Sequence, residues 1–367
     1  MSGSGGDSGR RQDVSDRVPV REDLADIEPY GAPQLDVAVR LNTNETAAPP
    51  PAEFEAALRE RLAGLGLNRY PDRRASELRE RLAAVEGLDP ARVWAANGSN
   101  EVLLQLLLAY GGPGRRALLF RPGYSMYPLL ARVAVTPVVE EDLPDDFTLT
   151  ADGAHAAVAR HDPDVVLVAH PNNPTGIPVA AAAIRALHDE SRALVVVDEA
   201  YVEFGGESMR SLLDGLPRLV VCRTFSKAYR LAGLRLGYLL AHEWVVNDVR
   251  KVRLPYHLDG LKQVAALVAL DVGPAMLDHI PEVSAERERV AAALRALPEV
   301  EVFPSVANFL LVRTPVSDLF DRLLEQGVLV RDFSRAPRLD GCLRVTIGTP
   351  EENDAFLAAL GAVLAPR

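Results

Sequence analysis

From residue 93 onward, short and almost unbroken apolar runs alternate with stretches whose apolar residues recur at helical spacing. The runs cover 93–96, 117–120, 165–169, 193–197, 219–222 and 237–241. Continuous apolar character over four or five residues suits strands covered on both faces, where a polar alternate residue would be stranded away from water. Between the runs, 101–110 and 179–190 carry helix-like spacing. The alternation predicts an α/β domain of about 230 residues with a mostly parallel, helix-covered central sheet.

The texture changes after about residue 270. A long amphipathic stretch over 275–297 predicts a helix; 299–303, 308–313, 328–332 and 343–347 predict strands; 317–326 and 350–364 predict further helices. This reads as a smaller α+β domain. Near the start, Pro49-Pro50-Pro51 separates the segment Leu41-Asn42-Thr43-Asn44-Glu45 from the first helix. The expected organisation is therefore a flexible tail and N-terminal arm over 1–45, a large domain over 46–270 and a small C-terminal domain over 271–367.

Length and composition narrow the function. A chain of 367 residues suits two domains, and 48% hydrophobic with 25% charged residues is ordinary for a globular protein. The net charge of −11 argues against a nucleic-acid partner, which needs dense basic patches. Small anionic substrates remain compatible, since single arginines act locally. No apolar run reaches the ~18–20 residues that span a bilayer, and the Gly/Ser-rich opening lacks the apolar core of a signal peptide. It reads as a flexible tail through Ser15, and a cytoplasmic location is expected. Cys222 and Cys342 lie 120 positions apart, at neither disulfide-motif nor zinc spacing, so no metal is expected.

Four segments carry candidate chemistry, each at the carboxyl end of a predicted strand, where open α/β sheets place their ligands. In Thr224-Phe-Ser226-Lys227, a lysine follows an apolar strand and is a Schiff-base candidate if its pKa is lowered; Arg235 downstream offers a fork for phosphate. Alone, the lysine reads as a surface residue. Asp198-Glu-Ala-Tyr201 puts a carboxylate at the end of a buried strand, where it needs a partner: a salt bridge, a helix cap or a protonated ring nitrogen. His170-Pro-Asn-Asn173-Pro-Thr-Gly176 is a turn that presents an amide, and Asn97-Gly98-Ser99-Asn100-Glu101 opens a helix with free backbone amides. Together they supply a phosphate cradle, a ring-nitrogen partner, a phenol-oxygen donor and an amine, the set that pyridoxal 5'-phosphate (PLP) requires. The remaining groups are expected to be structural: Cys222 and Cys342 in packing, His155, His161 and His188 on the surface, His170 and His257 near the site, and the 286–289 charges on a solvated helix face.

On these blocks, with Pro29-Tyr30, Asn68-Arg-Tyr70-Pro71, Tyr124-Ser-Met-Tyr127, Val330-Arg331-Asp332 and Gly341-Cys-Leu-Arg344, the chain resembles the fold-type I PLP-dependent aminotransferases from about Tyr30 to Leu364. Within them it is similar to the histidinol-phosphate aminotransferase branch. The resemblance implies that Lys227 binds the cofactor aldehyde and transfers protons. Asp198 would hold the ring nitrogen protonated, Tyr201 and Asn173 would hydrogen-bond the phenolic oxygen, and Tyr124 would stack on the ring. Ser99, Asn100, Thr224, Ser226 and Arg235 would hold the phosphate. It further implies a homodimer in which Tyr70 reaches the neighbouring subunit's cofactor, with Tyr30, Asn44, Arg331 and Arg344 binding anionic amino-acid substrates. One departure stands out. Where the family continues with Asn-Pro and an aromatic, this chain has Thr46-Ala47-Ala48-Pro49-Pro50, which reads as drift in an arm loop.

The implied reaction is transamination between histidinol phosphate and 2-oxoglutarate. An aromatic aminotransferase and a PLP decarboxylase of a phosphorylated amino acid are the alternatives on the same frame. A PLP-binding regulator would need a DNA-binding domain, for which the tail and arm leave no room.

Overall fold

In the computed structural model a short arm strand, β1 (Val39–Arg40), precedes the seven strands of the central sheet. These are β2 (Val93–Ala96), β3 (Ala117–Arg121), β4 (Val138–Asp142), β5 (Val165–Ala169), β6 (Leu194–Asp198), β7 (Leu219–Thr224) and β8 (Gly237–Leu240). The spatial order is β2-β8-β7-β6-β5-β3-β4; β8 runs antiparallel to both neighbours and every other pair is parallel. The structure describes residues 18–27, 31 and 33–365. Two compact units divide the chain at residues 31 and 32; the first contains a 3-10 turn, Glu22–Leu24, beside an Arg21–Asp23 ion pair.

The unbroken apolar runs are explained by the two cores. Val166 and Val168 of β5 face one hydrophobic cluster with Leu78, Ile184 and Leu187, while Val165 and Leu167 face another with Leu103, Leu106 and Val249. Alternate side chains of a strand point to opposite faces, and both faces here are covered by helices. Strand β4, Val-Val-Glu-Glu-Asp, was not expected; as an edge strand it is half-exposed and tolerates its three carboxylates.

The C-terminal part contains a second sheet. Strands β9 (Glu301–Val302), β10 (Phe309–Arg313), β12 (Arg331–Asp332) and β13 (Cys342–Thr346) lie in the order β12-β13-β10-β9, all antiparallel. The intervening β11 (Val328–Leu329) pairs instead with β1, in parallel. The arm is thereby fastened to the C-terminal layer, where Val39 and Leu41 pack with Leu294, Leu310 and Val345. The predicted helix over 275–297 is broken into Gly273–Leu277 and Ile280–Arg295.

Two surface expectations are corrected. Arg287 turns inward and donates to the Ala307 carbonyl at 3.0 Å, because its helix is packed on that side. His188 lies on the buried face of the helix Ala181–Asp189. Cys222 and Cys342 are both free and buried. Among the described residues no single helix is long and apolar enough to cross a membrane.

Candidate active site

The carboxyl ends of β5, β6 and β7 converge with the start of the helix Ser99–Tyr110. Three residues beyond β7, the Lys227 amine donates to the Thr43 carbonyl at 2.8 Å and lies 5.7 Å from the centre of the Tyr201 ring. Burial, with the Arg344 and Arg235 cations, pushes this amine down to about 7 against the opposing pull of Glu45. At neutral pH a large fraction is therefore uncharged, the form that attacks a carbonyl.

Asp198 ends β6, opposite Cys222 in the parallel register. The Tyr127 hydroxyl donates to Asp198 Oδ2 at 3.2 Å, whereas Oδ1 is buried with no hydrogen-bond partner. Burial pushes the carboxyl up to about 6, while Tyr127 and the Ala200 amide hold it down. A buried carboxylate oxygen left over after its neighbour is satisfied is costly. A protonated ring nitrogen would complete it. The next residue, Glu199, is engaged elsewhere, by Arg223 at 3.0 Å and by the Met209 amide at 2.6 Å.

The residues expected to hold a phosphate, Thr224, Ser226, Arg235 and the Gly98–Asn100 turn, lie together. Thr224 Oγ1 and Arg235 Nη1 each donate to Ser226 Oγ at 3.0 Å. Arg235 Nη2 lies 2.9 Å from where a Cβ on Gly98 would stand, which brings the guanidinium over the helix N-terminus. There Gly98, at φ +83°, caps a helix whose first amides, Ser99 and Asn100, have no partner within the helix. Gly237 allows β8 to pass beneath, because a Cβ there would meet the Ser99 nitrogen at 2.4 Å. Tyr124 reaches Asn100 Oδ1 at 3.3 Å and packs edge-on against Tyr127 at 5.3 Å, adjoining both the cradle and Asp198.

On the other side stand the substrate candidates. Buried Arg344 donates to Asn173 Oδ1 at 2.5 Å and to the Asn42 carbonyl at 2.8 Å. Because Arg344 engages the Asn173 oxygen, the amide NH₂ of Asn173 is left to donate elsewhere. Arg331 is the cross-strand partner of Arg344. Asn44, at φ +54°, donates to the Tyr201 hydroxyl at 3.1 Å and accepts from Thr346 at 3.0 Å.

Tyr70 is not brought to this site: it is 79% exposed and stacks on Tyr256 at 4.3 Å. Tyr30 lies outside the described residues. His170 and His257 hold backbone: His170 Nδ1 accepts from the Val179 amide at 2.9 Å, and His257 Nε2 lies 2.9 Å from the Ala95 carbonyl. Sequence reasoning missed Asn42, Thr43, Tyr127 and Thr346 as site partners. Asn42 and Thr43 lie in the 41–45 block already singled out, and Tyr127 follows Tyr124 by three positions. Among the described residues no group of three or more His, Cys, Asp or Glu side chains is placed to hold a metal ion.

Comparison with known proteins identifies the family. The family model "Aminotransferase class I and II" matches residues 36–360. A histidinol-phosphate aminotransferase of Thermobifida fusca is 48% identical over 94% of this chain and 95% of its own length. One of Streptomyces avermitilis is 48% identical over 94% and 96%. Among solved structures, histidinol-phosphate aminotransferase from Sinorhizobium meliloti in complex with pyridoxal-5'-phosphate superposes with TM-score 0.85 and 26% identity, covering 95% of this chain and 98% of that one. An L-threonine-O-3-phosphate decarboxylase from Porphyromonas gingivalis reaches TM-score 0.79 at 27% identity over 89% and 99%. The orphaned Asp198 oxygen, the lowered Lys227 amine and the glycine-lined anion cradle all fit pyridoxal phosphate. The chain belongs to the class I and II aminotransferases, with its curated relatives among the histidinol-phosphate aminotransferases.

Proposed function

We propose that the protein is a PLP-dependent transaminase that exchanges the amino group of histidinol phosphate with 2-oxoglutarate, giving imidazole-acetol phosphate and glutamate in histidine biosynthesis. The observation that carries this reading is the juxtaposition of a part-buried lysine and a half-satisfied buried aspartate at the strand ends with Arg344, the cross-strand partner of Arg331, beside that lysine. When bound, pyridoxal phosphate supplies an aldehyde for the amino group and a ring that delocalises negative charge at Cα.

The chain's own residues then have separable roles. Lys227 Nζ would bind the aldehyde and, once released, would carry the proton taken from the substrate Cα to the aldehyde-derived carbon (C4′) of the cofactor. Asp198 Oδ1 keeps the ring nitrogen protonated. Tyr201 and the Asn173 amide hydrogen-bond the phenolic oxygen, and Tyr124 covers the ring face. The Ser99 and Asn100 amides, Thr224, Ser226 and Arg235 hold the phosphate. Arg344 takes the α-carboxylate of glutamate and, helped by Arg331 and Tyr30, the phosphate of histidinol phosphate, with Asn44 also on the substrate side, so one site serves two amino donors. Positioned proton transfer of this kind contributes roughly 10²–10⁴-fold.

We read the active enzyme as a homodimer in the cytoplasm, with Tyr70 completing the neighbouring site. Exposed Leu67, Tyr70 and Leu254 support that face as the interface, and two free thiols suit a reducing compartment. Two separate sheets support a large domain over 46–270 and a small one over 271–367.

The half-reaction tests the assignment. The protein is loaded with PLP and conversion to the pyridoxamine form is followed with histidinol phosphate, glutamate, phenylalanine and threonine phosphate. Saturable conversion by histidinol phosphate and glutamate is expected. Conversion by phenylalanine alone overturns the substrate, and carbon dioxide release from threonine phosphate overturns the reaction.

A further inference from the structure

The arm segment that departs from the family pattern is bonded to the turn that carries Lys227. The Thr46 hydroxyl donates to the Lys227 carbonyl at 2.8 Å. That carbonyl already accepts the Arg230 amide at 2.9 Å, which closes the turn. Arg230 then reaches back to the arm, donating from Nη1 to the Pro49 carbonyl at 3.1 Å. Its Nε donates to His279 Nδ1 at 2.8 Å and its Nη2 pairs with Asp278, at the break between the two helices of the C-terminal part. Arg230 holds φ +59°, a left-handed conformation that a non-glycine residue keeps only when its surroundings impose it. With the Thr43 carbonyl on Nζ, the lysine turn is gripped at its amine, its carbonyl and its following arginine.

The far end of the same arm is fixed independently of the lysine. Leu41 bonds to Leu329, and Asn44 bonds to Thr346. The segment is therefore a strap anchored on the C-terminal layer and buckled onto the lysine turn. A loop that had merely drifted would need neither the Thr46 nor the Pro49 bond.

We propose that Thr46 and Arg230 are positioning residues for Lys227: the 46–49 strap fixes the lysine backbone and so sets where its amine stands relative to the bound cofactor. This rests on Lys227 being the cofactor-binding lysine. Because the Arg230 amide still closes the turn without Thr46, loss of the hydroxyl loosens the strap while leaving the turn folded.

The test uses full-length Thr46→Val, Thr46→Ser, Arg230→Lys and Lys227→Ala proteins. In the cofactor-free protein, the pH dependence of Lys227 modification by an amine reagent is read by peptide mass spectrometry. In the loaded protein the half-reaction is resolved into rate and donor KM, and thermal unfolding is recorded for both forms. For Thr46→Val the lysine titration is expected to move upward as water reaches the amine. The half-reaction should slow roughly three- to tenfold, the worth of one hydrogen bond, with donor KM changed less than about twofold. Thr46→Ser should restore both, and Arg230→Lys should repeat the Thr46→Val pattern. An unchanged lysine titration and rate in Thr46→Val overturns the strap. So does a slowed rate that comes with lowered unfolding temperature and an unmoved titration, which is a structural effect only. Borohydride fixation of cofactor onto Lys227→Ala overturns the lysine assignment itself, a result separate from the Thr46 outcomes.

Discussion

Arg331 and Arg344 stand directly opposite each other across the β12–β13 ladder, and Arg344 also lies 5.5 Å from the Phe333 ring that Arg331 approaches at 6.0 Å. Directly opposed side chains of an antiparallel pair share a face, and like charges there repel. An anion between them turns that repulsion into a bidentate clamp. Replacing Arg331 with methionine should raise KM for histidinol phosphate roughly ten- to a hundredfold while changing that for glutamate far less. Arg344→Met should damage both. Half-reaction titrations with the two donors check this.

The Lys227 amine should titrate near 7 in the cofactor-free protein rather than at the ordinary 10.5. The folded chain holds the proton less tightly than the unfolded chain between those values. This group therefore adds stability as pH rises from about 7 to 10.5, and takes it away as pH falls through 7. Modification of Lys227 against pH, followed on its own peptide among those of the three lysines, measures the midpoint directly. Arg344→Met should raise it.

Asp198 has the opposite sign. Its folded carboxyl binds a proton more tightly, from 3.8 up to about 6, so its contribution to the cofactor-free protein is present below 3.8 and lost as pH rises through 6. Added PLP should restore that loss, so the cofactor's stabilising effect on thermal unfolding grows across this window. Asp198→Asn should abolish the growth and weaken proton transfer by two orders of magnitude or more.

Gly237→Ala should weaken cofactor binding more than it disturbs the sheet. The added methyl would stand 2.4 Å from the Ser99 nitrogen and 3.0 Å from the Arg223 carbonyl. Backbone must move, and the amide that moves belongs to the phosphate cradle. A fall in PLP affinity of at least tenfold is expected by fluorescence titration, with a stability loss of about 1–3 kcal/mol.

Arg223 pairs with Glu86, Glu199 and part-buried Glu203, at 3.4, 3.0 and 3.7 Å, and Arg210 lies 3.7 Å from Glu86 as well. Arg223→Met would leave three carboxylates without it, and a loss of about 3–5 kcal/mol in denaturant unfolding follows. Burial already pushes Glu203 up to about 7, so the variant should be less unstable in acid than at neutral pH.

The central sheet was legible because burial on both faces demands unbroken apolar runs, and six of its seven strands announce themselves that way. Strand β4 did not, since an edge strand needs no such run. The strand-end chemistry of Asp198, Lys227 and Arg235 was legible from position along the sheet. The arm was not. Thr43 and Lys227 are 184 residues apart, and Asn44 and Thr346 are 302 apart, and no local pattern encodes a bond across such distances. The same limit hid the Tyr127–Asp198 bond, whose partners are separated by 71 residues.

That 302-residue span between Asn44 and Thr346 also sets an order of events during synthesis. The central sheet closes from residues 93–240, all of which leave the ribosome before β13 exists. The far end of the arm, made first, must wait for β11 and β13 before its strand and Asn44 have those partners, and loops of that length close late. A chain whose sheet has closed therefore still lacks the C-terminal anchor of its arm until its final strand arrives.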